Sequence, residues 1–339
     1  MNEMMAREIA AQAEVLPASV QPLAERAASV SLPLGRVFAG GCGDSAIAPA
    51  ALRGVFECLG IDVIASTSMT LASFTRFVSS DTVILSSISG STRRTVEAAK
   101  VARERGARVI AITCNGTSSL AQAASEVIVL PFEPMSRKTP HTLDYTMTVL
   151  ALSQLALAWS NEQAGEVAKI LEALPSSLIA ARGRAEAIAA KMNSQGKLFI
   201  LGAGPDLATA EYGVSKFHEA GGLVAIASET ENFIHGQNFM VEPNDTIIAL
   251  GGNSAGLKRG REIIEAFGEY VASAEMIAPE PQPKLTWSSV LADLLSTTFI
   301  LQHLCLATAN RRGLMVELPR AGRPSGDKLL AIQRLVMAN

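Results

Sequence analysis

Two short stretches, GRVFAGGCG (residues 35–43) and GKLFILGAG (residues 196–204), decide how this chain is read. Each sets a basic residue ahead of three or four apolar residues and a Gly-x-Gly turn, and the second follows the first by 161 positions. The repetition continues downstream. SDTVILSSISGST (80–92) lies beside NDTIIALGGNSAG (244–256), where Asp-Thr opens a β-branched run that breaks into small residues. Self-similarity at a fixed offset means two copies of one supersecondary plan. In each copy an apolar run ends in glycines and passes into a helix-like segment, 46–58 in the first and 207–220 in the second. Strands alternating with helices in this way predict a parallel sheet covered on both faces. In the first copy VILSS (83–87) leads through a turn into TRRTVEAAKVARERG (92–106), which Gly106 stops, and RVIAITCN (108–115) and EVIVLPF (126–132) are the next strands. The fold class expected is α/β, as two three-layer αβα domains.

The domain reading follows. An amphipathic lead-in helix occupies 1–30 and ends near Pro17 or Pro22, the first domain covers 31–190, and the second covers 191–339 with a C-terminal tail. Residues 160–195 form two Ala-rich helices broken at Leu174-Pro175, and PEPQPK (279–284) is a surface loop.

Composition bounds the partners. With 339 residues, 48% hydrophobic and 18% charged, the chain is too long for one small module and apolar enough to bury a core. Its net charge of −3, with no Lys/Arg run longer than Arg93-Arg94 or Arg311-Arg312, supplies no basic field for nucleic acid. The opening MNEMMAREIAAQAEV has no apolar signal region and nowhere do eighteen apolar residues run together, so a soluble, cytoplasmic protein with no membrane partner is expected. Cys42, Cys58, Cys114 and Cys305 lack C-x-x-C spacing and are expected to be buried free thiols. The histidines at 141, 218, 235 and 303 show no H-x-x-x-H or H-E-x-x-H spacing, so no metal is expected. GCGDSA (41–46) and GAGPDL (202–207) carry Ala46 and Leu207 where a dinucleotide fingerprint has its third glycine, and no cofactor is expected.

The chemistry concentrates at Ser86-Ser87-Ile88-Ser89-Gly90-Ser91-Thr92, between a strand's C-terminal end and a helix N-terminus. Free N–H groups and the positive end of the helix dipole favour an anion there, and hydroxyls at Ser87, Ser89 and Thr92 add donors for phosphate oxygens. The bland alternative is that these hydroxyls only cap the helix. The repeat argues otherwise, because the equivalent positions in the second copy are Gly251, Asn253, Ala255 and Gly256. Gly43, Asp44 and Ser45 lie at the same sheet end, where ligands of open α/β sheets collect. Lys216 and Glu219 share a helix face at i, i+3, an arrangement that alone reads as a surface ion pair, and ETENFIHG (229–236) is a polar loop able to carry an acid or base.

Taken together, GCGDS, SSISGST and a K-x-x-E followed sixteen residues after the Glu by His-Gly resemble the double sugar isomerase (SIS) domain family, in particular the isomerase half of glucosamine-6-phosphate synthase and related deaminases and deglycases. The resemblance covers roughly 35–310. It implies two flavodoxin-like SIS domains and a phosphosugar site. Ser87, Ser89 and Thr92 would bind phosphate with Ser45 joining them or the sugar, Glu219 would move a proton between C1 and C2, and His235 would open the sugar ring. In that family the histidine is commonly lent by a neighbouring subunit, so a homodimer is implied, with Lys216 polarising the reacting centre. The tail AGRPSGDKLLAIQRLVMAN (321–339) sets Lys328 near the family's Schiff-base lysine, and Glu133 beside Pro134 is a candidate lining residue. No glutaminase domain is expected, and the chain departs from the synthase in reading Ser136-Arg137-Lys138-Thr139-Pro140-His141-Thr142 where the synthase has a Ser-Thr-Lys pattern. The expectation is an aldose–ketose isomerase or an amino-sugar-phosphate deaminase or deglycase working through an enediol or enolamine. The alternative is a sensor that binds sugar phosphate without turnover.

Overall fold

The computed structural model describes residues 2–136, 140–160, 162, 165–220, 223–252, 254–279, 285–318 and 325–338. The chain runs α1 (Glu3–Ala28), β1 (Val37–Gly41), α2 (Asp44–Ala51), α3 (Arg53–Cys58), β2 (Val63–Thr67), α4 (Ser68–Ser73), β3 (Thr82–Ser86), α5 (Arg93–Glu104), β4 (Arg108–Thr113), α6 (Ser119–Ala123), β5 (Glu126–Val129) and α7 (Leu143–Ser160). Two connecting helices follow, α8 (Gly165–Glu172) and α9 (Leu174–Lys191), broken at Pro175 as the sequence predicts. The second set is β6 (Leu198–Gly202), α10 (Pro205–Glu219), β7 (Ala225–Glu229), α11 (Thr230–Ile234), β8 (Thr246–Leu250), α12 (Ser254–Phe267), β9 (Ser273–Ile277), α13 (Trp287–Arg311) and α14 (Gly326–Ala338).

Both sheets are parallel throughout. The first has the order β2-β1-β3-β4-β5 and the second β7-β6-β8-β9. The central strands β1, β3, β6 and β8 are buried at every residue, which is why they read as unbroken apolar runs rather than alternating ones. The two copies match through their first four strands. The fifth, β5, has no counterpart among the described residues of the second copy, and most of the PEPQPK tract lies outside those residues.

Two expectations are corrected. The lead-in helix does not end at Pro17 or Pro22 but continues to Ala28. Its face of Met5, Ile9, Leu16, Val20, Leu23 and Ala27 is buried in the main core, and this continuous apolar contact outweighs the hydrogen bonds that the prolines remove. The thiols are not uniformly buried either. Only Cys305 is, while Cys114 is half-buried and Cys42 and Cys58 are exposed, Cys42 in the loop between β1 and α2 and Cys58 at the last residue of α3. Among the described residues one helix, α13, is long and apolar enough to cross a membrane; in the fold its apolar side packs against α9, α10 and α3.

The structure also explains the repeated Asp-Thr. Asp81 is 1% exposed and accepts hydrogen bonds from Arg36 Nε (2.9 Å), Arg36 Nη2 (2.7 Å) and the Val78 N–H (2.8 Å). Its counterpart Asp245 accepts from the Lys197 N–H (2.7 Å), the Glu242 N–H (2.8 Å) and Lys197 Nζ (2.8 Å). Each aspartate thus ties the residue entering the first strand of its sheet to the turn before the third. Burial raises the Asp81 carboxyl, but the Arg36 and Val78 bonds outweigh it and hold its pKa below the ordinary value. Such a group stabilises the fold above its unfolded pKa, and the contribution is lost as pH falls through the lower folded value. Asp81→Asn should therefore cost about 1–3 kcal/mol in urea unfolding at neutral pH, and the gap from the parent protein should narrow as pH falls below the ordinary carboxylate range.

Candidate active site

Strands β1, β3 and β4 end at one rim, and the loops leaving them form the mouth of a cavity of about 680 Å³. Gly43 sits at φ +57 ahead of α2, a conformation that glycine adopts without strain, and turns Asp44 and Ser45 toward this cavity. Ser86, Ser87, Ser89, Ser91 and Thr92 line the next side. The loop closes on itself: Ser87 Oγ lies 3.0 Å from Thr92 Oγ1, and Ser89 Oγ lies 2.9 Å from Ser91 Oγ. Gly90, at φ +65, is packed so closely on Ser118 that a side chain there would collide with it.

These contacts bear on whether the hydroxyls cap the helix. Thr92 is the N-cap of the twelve-residue α5, yet its hydroxyl makes no capping bond and turns to Ser87 instead. Elsewhere in the same domain Thr67 and Ser118 cap in the ordinary way, accepting from the Thr70 and Ala121 N–H groups. Helix α5 also opens on Arg93 and Arg94 with no acid in its first turn, the reverse of what its dipole prefers. Hydroxyls, uncapped N–H groups and a cationic first turn together suit an anion.

The second copy fills the equivalent place from within. Asp206, which stands where the first copy has Ser45, accepts a hydrogen bond from the Gly252 N–H at 2.8 Å. The cavity at that rim, about 600 Å³, is lined by Asp206 and also by Asp293, whose carboxyl burial pushes up to about 6. Carboxylates thus line the second rim where the first has hydroxyls.

Opposite the cup, the Lys216–Glu219 pair is not the surface ion pair that its spacing suggests. Lys216 is 0% exposed; its Nζ lies 2.5 Å from Asp44 Oδ2 and 2.8 Å from Glu219 Oε2, donates to the His141 carbonyl at 3.3 Å, and sits 5.2 Å from the centre of the Tyr212 ring. Burial alone would lower the lysine's pKa, but the two carboxylates outweigh it and keep the ammonium charged. Glu219 is raised, with burial pushing up harder than Lys216 pulls down and Asp44 adding to the rise. Its side chain is 42% open, at the cavity wall. A carboxylate held above its usual range beside a fixed cation is a better proton acceptor than an ordinary one.

Gly43, Asp44, Ser45, Ser87, Ser89, Thr92, Glu133 and Glu219 all line this one cavity, and Lys216 braces it from behind. His235 and Lys328 do not join them within the chain. His235 is exposed at the end of α11, and Lys328 is exposed on α14. The Ser136–Thr142 departure falls partly on 137–139, outside the described residues. Sequence reasoning missed His141, Asp144 and Tyr145, which line the cavity from the start of α7. His141 Nδ1 lies 2.9 Å from Asp144 Oδ2, and that partner raises the imidazole's pKa against the effect of burial. Only the His-x-x-Asp spacing at a helix start could have pointed to them.

Comparison with known proteins places this geometry. A family model described as SIS domain matches residues 35–158 and 191–271. Among curated proteins, the glutamine–fructose-6-phosphate aminotransferase (isomerizing) of Clostridium acetobutylicum is 30% identical over 181 residues, covering 51% of this chain and 30% of that protein. Its namesake from Pyrobaculum aerophilum is 26% identical over 342 residues, covering 93% of this chain and 56% of its own length. The chain thus spans between three tenths and a little over half of these relatives' length. Among solved structures, a glucosamine-6-phosphate deaminase from Thermotoga maritima superimposes with a TM-score of 0.78 at 18% identity, covering 94% of this chain and 98% of the other, a likeness of fold.

Removing the lysine charge tests the arrangement. Lys216→Met leaves Asp44 and Glu219 facing each other without a cation and should cost about 3–5 kcal/mol. The loss should ease as pH falls, because a carboxyl with a raised folded pKa stabilises the fold only below that value. Urea unfolding across the acid range reads both effects.

Proposed function

The chain belongs to the SIS domain family, and on that premise we propose that it is a phosphosugar-processing enzyme: an aldose–ketose isomerase, or an amino-sugar-phosphate deaminase or deglycase. The observation that carries the reading is the Thr92 hydroxyl turned from its own helix toward Ser87, on a cavity whose far wall holds Glu219. The phosphate sits in the cup of Ser87, Ser89 and Thr92, with Ser45 at its edge. Glu219, the base, takes a proton from one of the two adjacent carbons and returns it to the other, so that an enediol or enolamine forms and collapses without any redox change. Lys216 stays charged between its carboxylates and offsets the negative charge that develops on the sugar oxygen. Asp44 holds Lys216 in place, and Glu133 lines the entrance.

Ring opening needs an acid at the ring oxygen. In this reading His235 supplies it from a second copy of the chain in a homodimer. Its exposure supports that role, as does the neighbouring apolar surface of Phe239 (87% exposed) and Met240 (45% exposed). Lys328 on α14 would reach a site by the same route. A seam near residue 190 divides the two SIS units, and the chemistry is that of a cytoplasmic enzyme needing no organic cofactor.

A thermal-shift panel of sugar 6-phosphates, amino-sugar 6-phosphates and their unphosphorylated parents tests the cup. One phosphosugar at a hundred times its Kd should add roughly 2.7 kcal/mol, and Ser87→Ala/Ser89→Ala should abolish the shift; stabilisation by the unphosphorylated parent would remove the cup from the reading. Glu219→Gln tests the base. It should retain binding while exchange of the C2 proton with solvent deuterium falls by about 10²–10⁴-fold, whereas full exchange would disqualify Glu219. Binding with no exchange even in the parent protein would mark a sensor. In the active enzyme, kcat/KM should fall on the acid side through a pKa above the ordinary carboxylate range.

A further inference from the structure

We propose that Glu8, His141 and Asp144 form a binding site for a divalent transition-metal ion of the zinc or manganese class, set in the wall of the phosphosugar cavity. Each residue offers one ligand atom, and these atoms lie within 4.8 Å of one another. Glu8 projects from α1 and is 0% exposed. Its Oε2 accepts the Thr142 N–H at 3.0 Å and the Thr142 hydroxyl at 2.9 Å, while Oε1 is buried with no hydrogen-bond partner. Asp144 is 4% exposed; its Oδ2 faces His141 Nδ1 at 2.9 Å, and its Oδ1 is likewise buried without a partner.

Charge balance makes the case. Of the two buried carboxylates only Asp144 pairs with the imidazole, and among the described residues no lysine or arginine pairs with either. The buried ammonium of Lys216 is held by Asp44 and Glu219 and touches His141 only at its backbone carbonyl. An uncompensated buried carboxylate costs several kcal/mol, so a cation or a proton must answer it. The two Thr142 bonds fix the Glu8 carboxylate and leave Oε1 free on the side of the cluster, the disposition expected of a ligand held by an outer hydrogen bond. One nitrogen and two carboxylate oxygens suit zinc or manganese better than calcium or magnesium. Three protein ligands leave coordination positions open, and His141 and Asp144 also line the cavity. The His141-x-x-Asp144 half of the cluster is local, but its third member lies on the first helix, which is why a search for metal-ligand spacing passes over it.

The site's place beside the substrate rests on the proposed function, but its occupancy does not. The test therefore uses no sugar. Protein stripped with chelator is titrated with zinc or manganese alone, and bound metal is measured by elemental analysis alongside the melting temperature. The expected result is one ion per chain with a rise in melting temperature, and affinity at least about tenfold weaker in Glu8→Gln and in Asp144→Asn. Glu8→Gln keeps the shape and removes an uncompensated charge, so the stripped variant should melt no lower than the stripped parent. Absence of stoichiometric metal from the parent protein would overturn the proposal and leave Glu8 as a protonated acid bonded to Thr142. Binding undiminished in both variants would overturn it equally. A silent phosphosugar panel from protein that binds metal in this way would count against the proposed function and leave the metal site standing.

Discussion

A lysine ammonium with no exposed surface can persist only where carboxylates meet it, and Lys216 draws them from both halves of the molecule. Asp44 comes from the first turn of the helix after β1, while Lys216 and Glu219 come from the last turn of the helix after β6. The two copies of the repeat must therefore dock with α2 against α10, and that docking builds the cavity wall. Tyr145 stacked on Tyr212, with ring centroids 3.8 Å apart, closes the same seam. Behind it Gln302 donates to the Tyr212 hydroxyl at 2.9 Å and Gln12 donates to Gln302 at 2.8 Å, so buried polar groups on α1, α13 and α10 satisfy one another in series.

Duplication left two similar rims, and single residues made them different. Where Ser45 stands in the first copy, Asp206 stands in the second and places its own carboxylate on a loop N–H. Hydroxyls at Ser87, Ser89 and Thr92 became Gly251, Asn253 and Gly256. One rim carries hydroxyls, and the other places its own carboxylate on a loop N–H. The helix after the second rim was then free to contribute Lys216 and Glu219 to the first.

Much of this was legible in the residues. The apolar runs at 37–41, 82–86, 198–202 and 246–250 could only be buried central strands, and the loss of hydroxyls between copies pointed to the cup. Other features were not. The Lys216–Glu219 spacing reads as a surface pair because i, i+3 geometry carries no information about depth. Pro17 and Pro22 read as stops because local propensity does not register a long apolar contact made elsewhere. His141 and Asp144 drew no attention, since their partner Glu8 approaches from another helix.

The sequence by itself determined the α/β class, the internal repeat, the strand cores and the position of the hydroxyl-rich turn, because these depend on periodicity and on chemistry between near neighbours in the chain. Only the tertiary structure decided which charges are buried together, how far α1 extends, and that Asp44, Lys216, Glu219, His141 and Asp144 converge on one cavity. The physical reason is that burial and electrostatic pairing are set by packing between elements far apart in the chain, and a buried charge is defined by its surroundings rather than by its own residue type.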